Sequence, residues 1–307
     1  MYDELYALSR ARAKQKIWVM SDLQQRDPAK ARECLDVSMA DFFAMDHPAD
    51  MIWYLGDAVE GQDLGHTEAM AAMQEEAFAS TGLPLCFVMG NHDLEYAWDV
   101  QKPGDALRFP FHERVRRHPG WHTTARYTDW YFRLEVGEYA VYFLSDHMDA
   151  GHRWAFIHGT VWGDESAYPD PDAADRLRER MAADPRPVIT VSHYGYHGGN
   201  RASERQSRLF PLPKNVRLHL YGHAHIGDFA WAGADAWRRI SWVNWHDIPQ
   251  IEVSSFEHIR GQTCRSVFLH IYEDGGFGVF FRDHDHRRFT EAYFPSTVRY
   301  PSKFETP

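Results

Sequence analysis

The sequence predicts an α/β chain that turns β-rich toward its C-terminus, with helices and strands mixed and enough strands for two sheets. Three observations carry this. In the first third, short apolar runs alternate with segments of helical period. Beyond it, strand patterns predominate. No internal repeat, low-complexity tract or long Gly/Ser linker divides the 307 residues, so one elaborated domain over 1–307 is expected.

The N-terminal segment is charged and helical in pattern. Residues 17–20 form an apolar run ending at Ser21-Asp22. Asp27-Pro28 then supplies an N-cap and a proline at the first helical position, and Leu35, Met39, Phe42 and Phe43 share one helical face. Residues 51–55 are a second buried strand ending at Gly56-Asp57. Thr67 opens a second helix, with Met70, Met73, Ala77 and Phe78 on its core face, and Gly82 and Pro84 close it. Residues 85–89 form a third strand, ending at Gly90-Asn91-His92-Asp93. The order is β-α-β-α-β, and right-handed crossovers make its three strands parallel. Asp22, Asp57 and Asn91 follow one another at intervals of 35 and 34 residues, one unit apiece, each just past the carboxyl end of its strand. Open α/β sheets bind ligands along that edge.

Residues 94–128 are too long for an ordinary connection and are expected to be an inserted cap. Residues 130–136 and 139–145 make a hairpin across Gly137-Glu138, and after a second irregular stretch at 146–168 a helix falls near 172–183, with Leu177 and Met181 in its core. The strand at 188–192 leads into His193, and the strand at 216–221 into Gly222-His223-Ala224-His225. A β-rich segment over 247–307 completes the chain, with strands at 251–255, 264–272 and 277–282.

Composition narrows the function. Apolar residues at 44% exclude a disordered chain, and 33 basic against 44 acidic residues leave a net charge of −11, which argues against a nucleic-acid polymer as partner. No stretch reaches the roughly 18 apolar residues of a membrane span. Cys34, Cys86 and Cys264 are odd in number and far apart in sequence, so neither a disulfide framework nor a zinc ribbon is expected. These features read as a soluble, cytoplasmic protein. Nineteen His are many for such a chain, and their positions decide what they mean.

The polar residues at strand ends are Asp22, Gln24, Asp57, Asn91, His92, His193, His223 and His225. Their oxygens and imidazoles suit hard or borderline divalent ions, and no thiolate is among them. A carboxylate between two such sets can bridge two ions roughly 3.5–4 Å apart, the arrangement used to hydrolyse phosphoesters. Gly56-Asp57, Gly90-Asn91-His92-Asp93, a lone histidine after a strand and Gly222-His223-Ala224-His225, in that order, resemble the calcineurin-like metallophosphoesterase superfamily over about residues 17–226. The resemblance implies a four-layer α/β/β/α sandwich of two mixed β-sheets flanked by helices. It further implies one metal held by Asp22, Gln24, Asp57 and His225, a second held by Asp57, Asn91, His193 and His223, and His92 in the place of the catalytic histidine that contacts a phosphate oxygen, with Asn91 beside it. The chain departs from the usual Asp-x-His of the first motif by reading Asp22-Leu23-Gln24. An amide oxygen is harder and weaker than imidazole, so the implied ions shift toward Mn²⁺, with Fe, Zn and Mg as alternatives. An Asp-x-Gln motif is also similar to the manganese-dependent ADP-ribose/CDP-alcohol diphosphatases.

The expected function is dinuclear, metal-dependent hydrolysis of a small phosphodiester or nucleotide-type pyrophosphate, with a metal-bridging hydroxide as nucleophile. The alternatives are a phosphomonoesterase acting on a small substrate and a non-catalytic scaffold on the same fold. Glu60 is read as either supporting the site or solvated, and Asp93 as orienting His92 or capping a turn. His197 is a candidate substrate contact, with a surface role as its alternative. The run Asp283-His284-Asp285-His286 is read as a solvated strand end, and Trp231, Trp237, Trp242 and Trp245 as aromatic packing under a long loop or a stacking surface.

Overall fold

The protein is described from a computed structural model that covers residues 1–60, 62–94, 108–145, 147–148, 154–155, 172–196, 209, 211–223, 225, 242–245, 248–258 and 263–295. In chain order its elements are α1 (Tyr2–Arg12), β1 (Ala13–Met20), α2 (Pro28–Ala44), β2 (Met51–Tyr54), α3 (Leu64–Ala79), β3 (Leu85–Phe87) and α4 (Pro110–Arg117). There follow β4 (Tyr131–Val136), β5 (Tyr139–Leu144), β6 (His147–Met148), β7 (Trp154–Ala155), α5 (Ala173–Ala182), β8 (Val188–Ser192) and β9 (Val216–Tyr221). The last are β10 (Trp242–Trp245), β11 (Ile248–Glu252), β12 (Arg265–Tyr272), β13 (Phe277–Asp283) and β14 (Arg288–Tyr293).

One sheet runs β14-β13-β12-β1-β2-β3 and the other β10-β11-β9-β8-β5-β4, each mixing parallel and antiparallel pairs. The expected parallel core is present: β1 pairs with β2 and β2 with β3, all in the same direction. Strand alternation builds the layers. Ile17 and Val19 of β1 point toward the second sheet, where Val141 and Phe143 of β5 and Ile189 and Val191 of β8 meet them. Trp18 and Met20 point the other way and pack under the helices α1, α2, α3 and α4. Ala140, Tyr142 and Leu144 face outward onto Leu177 and Met181 of α5. The result is the α/β/β/α sandwich.

Local chemistry sets the helix starts. The Asp27 carboxylate accepts from the Ala29 amide at 2.9 Å, with Pro28 at the first helical position. Helix α3 begins one turn earlier than the periodicity suggests, because the Asp63 carboxylate accepts from the His66 amide at 2.9 Å and holds that extra turn despite Gly65.

The described part of the expected cap belongs to the scaffold. Phe109, Phe111, His112 and Trp121 are buried, and Phe111 lies edge-on to Tyr54 and Phe87 with ring centres 5.6 and 4.9 Å apart. His122 pairs along β3, donating to the Leu85 carbonyl at 2.7 Å and accepting from the Phe87 amide at 2.9 Å, which covers the sheet edge. The cap reading therefore narrows to 95–107, which with Trp98 lies outside the described residues.

The 283–286 run corrects its expectation. Asp283 and His284 are buried, and only the end of the run reaches solvent. The buried Asp41 carboxylate of α2 accepts from Arg282 Nε at 2.9 Å and Nη2 at 2.7 Å, and from His284 Nδ1 at 2.8 Å. His284 Nε2 lies 2.6 Å from Ser266 Oγ, which in turn accepts from Trp18 Nε1 at 2.7 Å. The strand end thus faces a helix rather than water, a placement that charge patterning along the chain does not reveal.

Burial works against charge on Asp41, but the Arg282 and His284 hydrogen bonds outweigh it and hold the acid at about 2. A carboxylate held below its unfolded value stabilises the fold at neutral pH, and that contribution is lost as pH falls from about 5 toward 2. Asp41→Asn is predicted to lower the unfolding free energy at pH 7 by roughly 3 kcal/mol, since it also leaves the buried Arg282 with only the exposed Asp3 carboxylate, 3.5 Å away, as counter-charge. Urea titrations should show the gap from the native protein narrowing between pH 6 and pH 3. A gap independent of pH would contradict this role for Asp41.

Candidate metal centre

The parallel strands of both sheets end at one place. Asp22 and Gln24 follow β1, Asp57 follows β2, Asn91 and His92 follow β3, His193 follows β8, and His223 and His225 follow β9. Backbone bonds fasten these loops together. The Asp22 amide donates to the Gly56 carbonyl at 3.1 Å, the Leu23 amide to the Asp57 carbonyl at 3.0 Å, and the Gly222 amide to the His193 carbonyl at 3.1 Å. Asp22, Asp57, His223 and His225 have φ of 62°, 53°, 66° and 49°. That left-handed region costs an ordinary residue about 1–2 kcal/mol, so tertiary contacts must hold four of these side chains in place. Gly56, at φ 92°, is required twice over, because a Cβ there would come within 2.7 Å of His193 Nδ1.

In each of the two wholly buried carboxylates one oxygen is anchored and the other is not. Asp22 Oδ2 accepts from the His223 amide at 3.0 Å and Asp57 Oδ1 from the His92 amide at 2.8 Å. Asp22 Oδ1 and Asp57 Oδ2 face imidazoles instead, 3.1 Å from His225 Nε2 and 3.0 Å from His193 Nε2. His193 Nδ1 lies 2.7 Å from the Leu55 carbonyl, where it donates, which turns Nε2 toward both Asp57 Oδ2 and Asn91 Oδ1 at 3.1 Å. The Gln24 amide sits 3.1 Å from His225 Nε2, and its buried oxygen has no partner.

Two groups of donor atoms result, Asp22/Asp57/His225 and Asp57/His193/His223, in each of which the atoms lie within 4.8 Å of one another. Asp57 belongs to both. Two buried carboxylates, inward-turned imidazole nitrogens and the Asn91 and Gln24 amides converge here away from water, a ligand set suited to hard or borderline cations. The residues therefore fit a pair of metal ions. Burial and then the charge of His193 keep His223 well below the usual histidine range, in the neutral form a metal requires. Burial opposes charge on His225, but Asp22 and Glu257 outweigh it and raise that histidine well above its usual range when no metal competes.

All eight strand-end residues come together here, while His197 lies outside the described residues. His92 is partly exposed, with Nδ1 3.3 Å from Glu60 Oε2, and Glu60 also accepts from Arg26 Nε at 2.8 Å. Of the two readings of Glu60, support for the site is the one realised. Of the two readings of Asp93, the turn cap is the one realised: its carboxylate accepts from the Gly90 amide of its own turn at 2.9 Å and from the amides of Asp57 at 2.9 Å and Ala58 at 3.0 Å in the neighbouring loop. Burial and the Asp57 charge push Asp93 up to about 7.

Two residues escaped the sequence reading. Glu257, wholly buried, lies 3.0 Å from His225 Nδ1 and accepts from Gln25 Nε2 at 2.9 Å, fixing the ring that faces Asp22. The Tyr194 hydroxyl donates to Asn91 Oδ1 at 2.9 Å. Glu257 lies in a loop with no motif around it, whereas adjacency to His193 was an available signal for Tyr194.

The solved structures similar to this chain include a purple acid phosphatase from yellow lupin (Lupinus luteus) seeds, at 10% identity and a TM-score of 0.54, covering 91% of this chain and 53% of that one. The chain thus spans about half the length of that protein. A phosphatase from Mycoplasma pneumoniae is also similar, at 11% identity and a TM-score of 0.41, with 91% of this chain and 92% of that one covered. No curated protein matches the chain. The family model for calcineurin-like phosphoesterases matches residues 15–227, the span that carries every strand-end ligand candidate, and the chain belongs to that family.

Proposed function

We propose that the protein is a dinuclear, metal-dependent phosphoesterase acting on a small phosphodiester or a nucleotide-type pyrophosphate. The observation that carries this reading is Asp57, a buried carboxylate common to both groups of donor atoms. One ion would be held by Asp22, Gln24, Asp57 and His225, and the other by Asp57, Asn91, His193 and His223. When bound, such a pair lowers the pKa of water between the ions, so that hydroxide can attack phosphorus, and polarises the phosphoryl oxygens.

The chain's own residues do the rest. Asp57, with one oxygen fixed by the His92 amide, sets the spacing between the two halves of the site. Glu60 steadies the His92 ring through Nδ1, leaving His92 to meet a phosphate oxygen and to assist the departing alkoxide with a proton. The net charge of −11 favours a small substrate over a nucleic-acid polymer. Among the described residues no helix is long and apolar enough to cross a membrane, and the three free, buried thiols suit a reducing, cytoplasmic setting. The neutral amide of Gln24 in place of an imidazole favours Mn²⁺.

Hydrolysis of bis-p-nitrophenyl phosphate and p-nitrophenyl phosphate with added Mn²⁺ tests the activity, with faster turnover of the diester expected. No turnover with any divalent ion would favour a non-catalytic scaffold. Asp57→Asn is predicted to abolish turnover and to remove both ions from the strand-end site, as read by metal analysis; retention of either property would refute the bridge. For His92→Ala, the rate should fall roughly 10²–10⁴-fold on substrates with poor leaving groups and much less on nitrophenyl esters, with metal content intact. An equal loss on both would remove His92 from leaving-group assistance. Gln24→His should move the metal giving highest activity from Mn²⁺ toward Zn²⁺ or Fe, and an unchanged metal profile would show that Gln24 is not a ligand.

A further inference from the structure

We propose that Cys34, His258 and Cys264 form a separate thiolate metal site that takes one Zn²⁺ and locks the loop behind the phosphoesterase centre. The three residues come from distant parts of the chain: Cys34 from the middle of α2, His258 from the loop after β11, and Cys264 from the residue before β12. Both sulfurs and one ring nitrogen of His258 lie within 4.8 Å of one another. Tetrahedral zinc, with bonds of about 2.3 Å to sulfur and about 2.0 Å to nitrogen or oxygen, sets its donors roughly 3.3–3.8 Å apart, so closing the set requires shifts of about 1 Å or less.

Further contacts brace this cluster. Asp285, in the turn after β13, lies 2.8 Å from His258 Nε2 and accepts from the Cys264 amide at 2.7 Å. The His258 amide donates to Cys34 Sγ at 3.2 Å. Three protein donors leave one tetrahedral position for Asp285 or water, and the carboxylate also fixes the imidazole. The cysteines are wholly buried, while the side chains of His258 and Asp285 are 27% and 25% exposed, which gives an ion a way in. Two soft thiolates select zinc over the manganese favoured by the oxygen- and imidazole-rich centre. Binding would release the two thiol protons to solvent.

Position gives the site its purpose. His258 directly follows Glu257, the carboxylate that meets His225 Nδ1 at 3.0 Å. Zinc between His258, helix α2 and the start of β12 would fasten this loop at its far end and hold Glu257 against His225.

Cobalt substitution separates this site from the phosphoesterase centre, because only thiolate ligands give sulfur-to-cobalt charge-transfer absorption in the near ultraviolet. Reduced full-length protein titrated with Co²⁺ should develop that band to one equivalent, and added Zn²⁺ should abolish it. Asp57→Asn should keep the band, while Cys34→Ser and Cys264→Ser should each lose it. Alkylation followed by mass analysis gives a readout without any variant: in native protein Zn²⁺ should shield Cys34 and Cys264 from a thiol reagent. Absence of the band from the reduced native protein, or a Cys34–Cys264 disulfide in freshly purified protein, would overturn the proposal.

Discussion

Compensation of buried negative charge is the constraint on which the site depends. Asp22 and Asp57 are wholly removed from water, each with one oxygen anchored to an amide and the other turned to an imidazole. Isolated carboxylates in such surroundings are prohibitively costly unless positive charge meets them. Imidazoles from the other sheet, His193 and His225, are the groups that face the free oxygens. A site that gathers carboxylates and imidazoles away from water is poised for cations, and sharing Asp57 between the two sets couples whatever is held on either side.

The architecture exists to bear this arrangement. Strained left-handed backbone at Asp22, Asp57, His223 and His225 persists because the surrounding loops are bonded to one another and because Asp93 captures three amides from two of them. One sheet supplies the oxygen ligands Asp22, Gln24, Asp57 and Asn91 and the other the imidazoles His193, His223 and His225, so the inter-sheet core of Ile17, Val19, Val141, Phe143, Ile189 and Val191 also fixes the distance between the two sets. On the outer face, Asp41 ties α2 to Arg282 and His284, and the cysteine cluster lies between that helix and the loop bearing Glu257. Rigidity is therefore placed behind the site, where it aligns ligands without occupying the face a substrate must reach.

Much of this was legible in the chain itself. The β-α-β-α-β pattern, the Asp27-Pro28 helix start and the placing of Asp22, Asp57, Asn91, His193, His223 and His225 at strand ends follow from short-range periodicity and spacing, and the structure brings those residues together. What escaped depends on tertiary contacts between distant segments. Glu257 lies 32 positions beyond His225 with no motif around it, and Cys34 of α2 and Cys264 before β12 are neighbours in space though 230 positions apart in the chain. His284 looks solvated from its charged flanks, yet it faces Asp41, which is supplied by a helix 243 positions away. Phe109, Phe111 and Trp121 read as a cap because they follow His92 in sequence, but the large apolar area they carry is better buried against β3 and α3.

The most direct measurement is anomalous scattering from crystals soaked in Mn²⁺. A bridging Asp57 predicts two peaks roughly 3.5–4 Å apart at the ends of β1, β2, β8 and β9, with its carboxylate between them. A single peak, or two peaks with Asp57 turned away from one of them, would contradict it.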